Sequence, residues 1–229
     1  NVGAPVIGTG SAIDFGVQIL TGTYTVIATG INGCVSNMSG SVIINSLPAE
    51  FSVSPAASIC AGSPIGLTGS EINTNYILVL DGSIHIDTIP GTGTPISFGA
   101  QITSGVYTVY AYNTITNCMS NMADSAVVTV APIAYNMTPA GVACDGSALG
   151  LENSEIGVTY QLRWNGATNI GTPVAGTGAA ISFGPQTLEG IYSVVATNTN
   201  GCFGPMNSTV EIYPLPVAFN LVPSGTQCQ

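Results

Sequence analysis

The stretch GTGSAIDFGVQ, from Gly8 to Gln18, returns as GTGTPISFGAQ at residues 91–101 and as GTGAAISFGPQ at residues 176–186. A catalytic loop has no reason to occur three times in one chain, whereas a structural unit that stacks on copies of itself does. The six cysteines fall into two sets, each spaced by 84 residues: Cys34, Cys118 and Cys202, and Cys60, Cys144 and Cys228. The sequence therefore predicts a tandem array of small domains.

Alternating apolar residues predict β-strands throughout each repeat, and no stretch has a helical period with caps. In GVYTVYAYN, residues 105–113, three apolar side chains fall on one face of a strand. The other strands expected in this copy are residues 50–55, 64–70, 75–82, 96–98 and 125–130. With about seven short strands per repeat and turn signals between them, the chain is predicted to be all-β, with a Greek-key sandwich in each repeat.

Several positions recur in register and are expected to have the same structural role in every copy. One apolar pair lies within the recurring phrase and is predicted to face the core: Ile13 with Phe15, Ile96 with Phe98, and Ile181 with Phe183. Asp81-Gly82 and Asn165-Gly166 predict tight hairpins, as do Asn32-Gly33 and Asn200-Gly201. The middle copy has Asn117 without the following glycine, so its last hairpin is expected to differ.

Prolines at equivalent positions mark the predicted domain boundaries, because proline cannot extend a strand ladder. Pro48, Pro132 and Pro214 follow the last predicted strand of each copy. The predicted domains are the C-terminal half of a repeat (1–47), two complete repeats (48–131 and 132–215) and the start of a further repeat (216–229). Because residue 1 falls in mid-repeat, we expect the sequence to be part of a longer chain.

Composition argues against several function classes. The chain has one arginine, no lysine, one histidine and eleven acidic residues, for a net charge of −10. One cation cannot neutralise a row of phosphates, so neither nucleic acid nor an anionic membrane surface is an expected partner. Wholly apolar runs such as Ile77–Leu80 are far shorter than the ~20 residues of a spanning helix. No catalytic set, phosphate loop or cofactor motif is found, so neither an enzyme nor a cofactor is predicted.

The succession SICAGSPIGLTGSE, GVTYQLRWNG, GTPVAGTGAAISFG, GIYSVVATNTNGC and VEIYPLPVAFNLVPSG covers the repeat in order. It closely resembles the immunoglobulin-like repeats of large secreted surface proteins of Bacteroidetes-type bacteria, such as gliding-motility adhesins exported by type IX secretion. The resemblance implies tandem Ig-like β-sandwich domains in an extracellular, cell-surface adhesin or filament. Its partners would be neighbouring copies of itself and possible surface glycans. In that family Asp-Ser/Thr before a small or aliphatic residue accepts O-glycans, which implies Thr88 and Ser125 as acceptors.

Cysteines at fixed phases of a repeat indicate disulfides and an oxidising compartment. Pairing within repeats would join Cys60 to Cys118 and Cys144 to Cys202, leaving Cys34 and Cys228 to bond elsewhere. Pairing across boundaries would join Cys34 to Cys60, Cys118 to Cys144 and Cys202 to Cys228. We favour the first because Ig-like modules are usually self-contained, although the two positions lie at opposite ends of a regular sandwich. No cysteines have metal-ligand spacing.

The remaining candidates divide between structure and binding. Tyr24, Tyr107 and Tyr192 lie in Gly-x-Tyr-x-Val and resemble the tyrosine corner of Ig sandwiches, whose hydroxyl bonds to nearby backbone. Trp164 aligns with Leu80 and is predicted to be core. The alternative function is an array of carbohydrate-binding modules, in which Tyr110 and Tyr112 would stack on sugars. Their counterparts are not aromatic, which disfavours it. Glu71 and Glu155 recur in register, but no calcium-binding motif is present.

Overall fold

The computed structural model describes residues 2–220, which form 22 β-strands. No helix in this part of the chain is long and apolar enough to cross a membrane. The described chain is all-β, as predicted, and the strands of residues 48–215 form immunoglobulin-like sandwiches. Residues 48–131 and residues 132–215 each contain nine strands, two more than the sequence pattern indicated.

The middle repeat, which the sequence predicts as residues 48–131, contains β5 to β13 in two sheets. The strands are β5 (Val53–Ser54), β6 (Ser58–Cys60), β7 (Ser63–Leu67), β8 (Thr74–Leu80), β9 (Ile84–Pro90), β10 (Ile96–Gln101), β11 (Gly105–Asn113), β12 (Met119–Asn121) and β13 (Ala126–Thr129). One sheet has the order β10-β7-β5, and the other has the order β6-β13-β11-β8-β9 with β12 also paired to β11. Because consecutive strands change sheets, the repeat is a Greek-key sandwich.

The last repeat (residues 132–215) has the same topology. Its strands are β14 (Met137–Thr138), β15 (Gly141–Cys144), β16 (Ala148–Leu151), β17 (Thr159–Trp164), β18 (Thr168–Ala175), β19 (Ile181–Pro185), β20 (Gly190–Thr197), β21 (Phe203–Pro205) and β22 (Val210–Tyr213). The sheets have the orders β14-β16-β19 and β15-β22-β20-β17-β18, with β21 also paired to β20. Fully buried side chains from both sheets form its core: Leu149, Leu151, Tyr160, Leu162, Tyr192, Val194 and Ile212.

Residues 2–47 form two separate two-stranded sheets. The strands are β1 (Gly22–Tyr24), β2 (Ile27–Thr29), β3 (Val35–Asn37) and β4 (Val42–Ile44), paired as β1-β4 and β2-β3. Ile13 is 40% exposed and Phe15 is 47% exposed, so the predicted burial of this pair is wrong. Residues 1–47 contain counterparts of only the later strands of a repeat, so the strands that cover this face elsewhere have no counterpart among them. The equivalent Ile96 and Phe98 are buried.

By compactness the described chain divides into two units. The first contains residues up to Ser54, together with Gly66–Phe98 and Thr108–Ser125. The second contains Pro55–Ile65, Gly99–Tyr107 and the residues from Ala126 onward. The second unit therefore includes β14 to β22, both β6 and β13, and parts of β7, β10 and β11.

Close packing explains why the GTG phrase recurs in the middle and last repeats. A Cβ on Gly176 would lie 1.9 Å from the carbonyl oxygen of Glu155, so only glycine fits there. The next amide, that of Thr177, donates to Ser154 Oγ at 2.9 Å, and this hydroxyl donates to the Ala179 carbonyl at 2.6 Å. The middle repeat has the equivalent contacts among Gly91, Glu71, Thr92, Ser70 and Thr94. The phrase is structural and does not mark a repeated active site.

The predicted hairpin turns after β8 and β17 are confirmed. Asp81 and Gly82 have φ angles of 50° and 72°, and Asn165 and Gly166 have 49° and 78°. Two successive positive φ angles are the requirement of a type I′ turn. The last hairpins of the first and last copies have a positive φ only at Gly33 and Gly201, so the predicted Asn-Gly turns with two positive φ angles are wrong. The middle copy differs from them as expected: its hairpin is closed from the Asn113 amide to the Cys118 carbonyl and is one residue longer.

The tyrosine corners are confirmed in all three copies. The hydroxyl groups of Tyr24, Tyr107 and Tyr192 donate to backbone carbonyls four residues earlier, at 2.7, 2.9 and 3.0 Å. Tyr107 and Tyr192 are otherwise buried in the core. These tyrosines are therefore committed to the fold and are not free to stack on a ligand.

Buried phenols make stability fall at high pH. Burial raises the pKa of Tyr76, Tyr160 and Tyr192 above the ordinary 10.0. The unfolded chain therefore loses these protons first, and the free energy of unfolding falls as pH rises above about 10 but is unaffected below it. In an absorbance titration at about 295 nm, we expect a late-ionising class of tyrosines that becomes smaller in Tyr192→Phe. A single transition at the ordinary pKa, with unchanged stability, would contradict this.

Candidate functional site: a covalent junction between repeats

Cys60 and Cys202 form a disulfide, with their Cα atoms 5.4 Å apart and a sequence separation of 142. The bond ties the middle repeat to the last repeat. The favoured pairs, Cys60–Cys118 and Cys144–Cys202, are therefore wrong. The structure also lacks the Cys34–Cys60 and Cys118–Cys144 bonds of the alternative, because Cys34, Cys118 and Cys144 are free thiols. Cys228 lies outside the described residues.

The pairing of β6 explains why Cys60 reaches the last repeat. This strand pairs in parallel with β13, the final strand of the middle repeat, and Cys60 is opposite Thr129. The backbone continues the ladder beyond the strand, because the Ala61 amide donates to the Thr129 carbonyl at 2.9 Å. Cys60 therefore lies where the chain leaves the middle repeat, far along the sequence from its partner but adjacent to it in space.

Cys202 comes from the hairpin between β20 and β21. The hairpin is closed by the Asn198 amide, which donates to the Cys202 carbonyl at 2.9 Å. Asn198 Oδ1 accepts from the Cys202 amide, also at 2.9 Å. The Cys202 side chain is only 1% exposed, so this end of the disulfide is shielded from solvent.

Two asparagines of the same hairpin reinforce the junction. Asn198 Nδ2 donates to the Val130 carbonyl at 3.1 Å, and Asn200 Nδ2 donates to Thr129 Oγ1 at 2.9 Å. The sequence pattern assigned Asn200 only to the turn and gave Asn198 no role. None of the groups that form these contacts or the disulfide is ionisable at neutral pH, so their strength is expected to be nearly independent of pH and salt.

The recurring glutamates have a structural role and do not form a metal site. Glu71 Oε2 accepts from the Ala49 amide at 3.0 Å, and Glu155 Oε1 accepts from the Ile133 amide at 2.6 Å. Each carboxylate thus holds the entering segment of its repeat. Among residues 2–220, no three His, Cys, Asp or Glu side chains come together as a metal site.

The two aromatic side chains considered for sugar binding, Tyr110 and Tyr112, both lie on β11. Tyr110 borders a shallow surface depression with Met119, Ser120 and Asn121. The hydroxyl of Tyr112 donates to Asn117 in its own hairpin. Equivalent aromatic residues are absent from the other copies, so no repeated stacking surface forms.

Trp164 packs against the core of the last repeat, in line with its predicted structural role. It is half-buried, and its Nε1 donates to the Glu189 carbonyl at 3.0 Å.

The two glycan-acceptor candidates differ in accessibility. Thr88 is exposed in β9, and its Oγ1 lies 2.8 Å from His85 Nε2. Ser125 is half-buried in the turn before β13. Thr88 is the more accessible of the two hydroxyl groups.

No protein-family model matches the chain, and neither does any curated protein. Among solved structures, the chain is similar to the fibronectin(III)-like modules of Clostridium thermocellum CbhA, at 15% identity over 75% of this chain and 99% of that one, with a TM-score of 0.34. A three-Ig fragment of titin, domains I67–I69, matches at 14% identity over 86% and 75%, with a TM-score of 0.40. Bacteroides ovatus SGBP-B, solved with a mixed-linkage heptasaccharide, matches at 16% identity over 86% and 54%, with a TM-score of 0.26. These low values carry no argument about function.

Proposed function

We propose that this chain is a load-bearing segment of an extracellular adhesin or surface filament, in which consecutive Ig-like repeats are tied together covalently. Its role is to extend and hold a cell-surface structure without catalysis. In this proposal the complete repeats are residues 48–131 and 132–215, and the partial repeats are residues 1–47 and 216–229. Neighbouring copies of the repeat are its partners, and Thr88 and Ser125 are candidate glycan acceptors.

The Cys60–Cys202 disulfide carries this proposal, because it determines which part of the chain can stretch. Tension applied to the two ends enters at Cys60, crosses the sulfur–sulfur bond and leaves through Cys202. The residues between the two cysteines are outside this path and cannot be pulled out while the bond is intact. Disulfides are favoured in oxidising compartments, which supports an extracellular location.

Single-molecule force spectroscopy tests the proposal. With handles at the two ends, the oxidised chain is expected to retain the loop between Cys60 and Cys202 at any force that leaves the bond intact. The loop spans 142 residues and its ends are 5.4 Å apart when folded. The reduced chain, or a Cys60→Ser/Cys202→Ser variant, should release about 500 Å more contour length, at ~3.5 Å per residue.

Cys118→Ser is the matched control, because it removes a cysteine that is a free thiol. This variant is expected to behave as the parent does and to keep the loop hidden. Release of the same length from the oxidised parent chain would contradict the proposal, since the disulfide would then not carry the load.

A further inference from the structure

Cys144 occupies the same place in the last repeat that Cys60 occupies in the middle repeat. It ends β15, which pairs in parallel with β22, and it lies opposite Tyr213. The next amide, that of Asp145, donates to the Tyr213 carbonyl at 2.8 Å, just as the Ala61 amide does to Thr129 at 2.9 Å. Both strands therefore present a cysteine where the chain leaves the repeat.

The loops that follow Cys60 and Cys144 are also similar, as their glycines Gly62 and Gly146 show. The Gly62 amide donates to the Gln101 carbonyl at 2.8 Å, and the Gly146 amide donates to the Gln186 carbonyl at 2.9 Å. Their φ angles are 94° and 84°. The two cysteines differ in their bonding partners. Cys60 is bonded to Cys202 in a hairpin of the next repeat, whereas Cys144 is an exposed free thiol.

We infer that Cys144 is the open half of a second junction and bonds the hairpin cysteine of a further copy of the last repeat placed after it. The partner is defined by the hairpin NTNGC, residues 198–202, which provides both a cysteine and a carbonyl-binding asparagine. At the formed junction Asn198 donates to the carbonyl of Val130, and the residue at the equivalent position after β22 is Pro214. This inference rests on the proposed function and extends it to other repeats.

The bond forms by thiol–disulfide exchange with a low-molecular-weight disulfide such as oxidised glutathione. The Cys144 thiol loses its proton, and its sulfur attacks the disulfide to give a mixed disulfide and one free thiol. The hairpin thiolate then displaces the second small thiol. Two protein thiols are oxidised, two electrons reduce the small disulfide, and two small thiols leave.

The spacing of such junctions would make an array resistant to extension. Each bond joins cysteines with a sequence separation of 142, whereas the cysteines of each set repeat every 84 residues. Because the loop is longer than the period, the loops of successive junctions overlap. Within a continuous array of this kind, every residue would lie inside at least one closed loop.

The test compares the full chain with the same chain carrying one more copy of residues 132–215 inserted after Leu215. Both carry Cys228→Ser, and both are oxidised with glutathione disulfide, alkylated, digested and mapped by mass spectrometry. The parent is expected to contain Cys60–Cys202 and three free thiols. The extended chain should keep the same number of free thiols, because Cys144 bonds the copy of Cys202 in the inserted repeat.

Two outcomes overturn the inference: two additional free thiols in the extended chain, or a bond from Cys144 to any other cysteine. Cys144→Ser in the extended chain keeps the test decisive, since it should free the inserted hairpin thiol and leave Cys60–Cys202 unchanged. If Cys60–Cys202 is mapped but the second bond is absent, only this inference fails. If Cys60–Cys202 is itself absent from the parent chain, the proposed function fails.

Discussion

Replacing Gly176 with alanine is expected to destabilise the last repeat by at least about 3 kcal/mol, at the upper end of overpacking effects. The new Cβ would lie 1.9 Å from the Glu155 carbonyl oxygen and 3.0 Å from the Tyr160 ring. Glu155 and Tyr160 are held in place, because the Glu155 amide donates to the Tyr160 hydroxyl at 2.8 Å. The strand is also held, because the Gly176 amide donates to the Val158 carbonyl at 2.8 Å. The strand must therefore move away and lose these hydrogen bonds.

Urea unfolding followed by the fluorescence of Trp164, the one tryptophan of the chain, measures this effect. The matched control is Gly8→Ala, which changes the same position of the recurring phrase. A Cβ on Gly8 meets nothing within 4 Å and its φ is not in the left-handed region, so we expect a change within about 0.5 kcal/mol. An equal midpoint for Gly176→Ala and the parent would show that the close approach is not a constraint.

The elements predicted correctly from sequence are those that depend on local periodicity. Tyr107, Val109 and Ala111 alternate along one strand, and all three are buried. The Asp81-Gly82 turn also follows from two adjacent residues. In contrast, β9 was missed because it is an edge strand exposed along nearly its whole length, so burial leaves no alternating pattern in its sequence.

The candidate site could be predicted only in part. The 84-residue period assigned every cysteine to one of two classes, and the disulfide does join one member of each class. The period cannot identify which copies are joined. That choice depends on the parallel pairing of β6 with β13. Because β6 has only three residues, its sequence shows no alternation of apolar and polar side chains that could predict this pairing. The assumption that each repeat is self-contained then led to the wrong pairs.

Removing the disulfide is the second change for which we expect a large loss of stability. In the chain-entropy model, closing a loop of 142 residues restricts the unfolded chain by about 5 kcal/mol, and measured effects of disulfides are commonly 2–4 kcal/mol. Cys60→Ser/Cys202→Ser is therefore expected to lower the free energy of unfolding by about 2–5 kcal/mol. The hydrogen bonds of Asn198 and Asn200 to the middle repeat remain in this variant. They are not expected to make up for the lost disulfide, because a hydrogen bond typically contributes a net of about 1 kcal/mol.

Two comparisons separate the covalent effect from side-chain changes. Cys202 is buried, so a serine there leaves a hydroxyl without solvent, and reduction of the unaltered chain should reproduce the loss without that cost. Cys118→Ser/Cys144→Ser removes two free thiols and is expected to shift the urea midpoint by no more than about 0.5 kcal/mol. If both double variants lost the same stability, the loss would come from replacing cysteine and not from opening the bond. If reduction changed nothing, the two repeats would be held together without the disulfide, and the tension-bearing path through Cys60 and Cys202 would have no energetic basis.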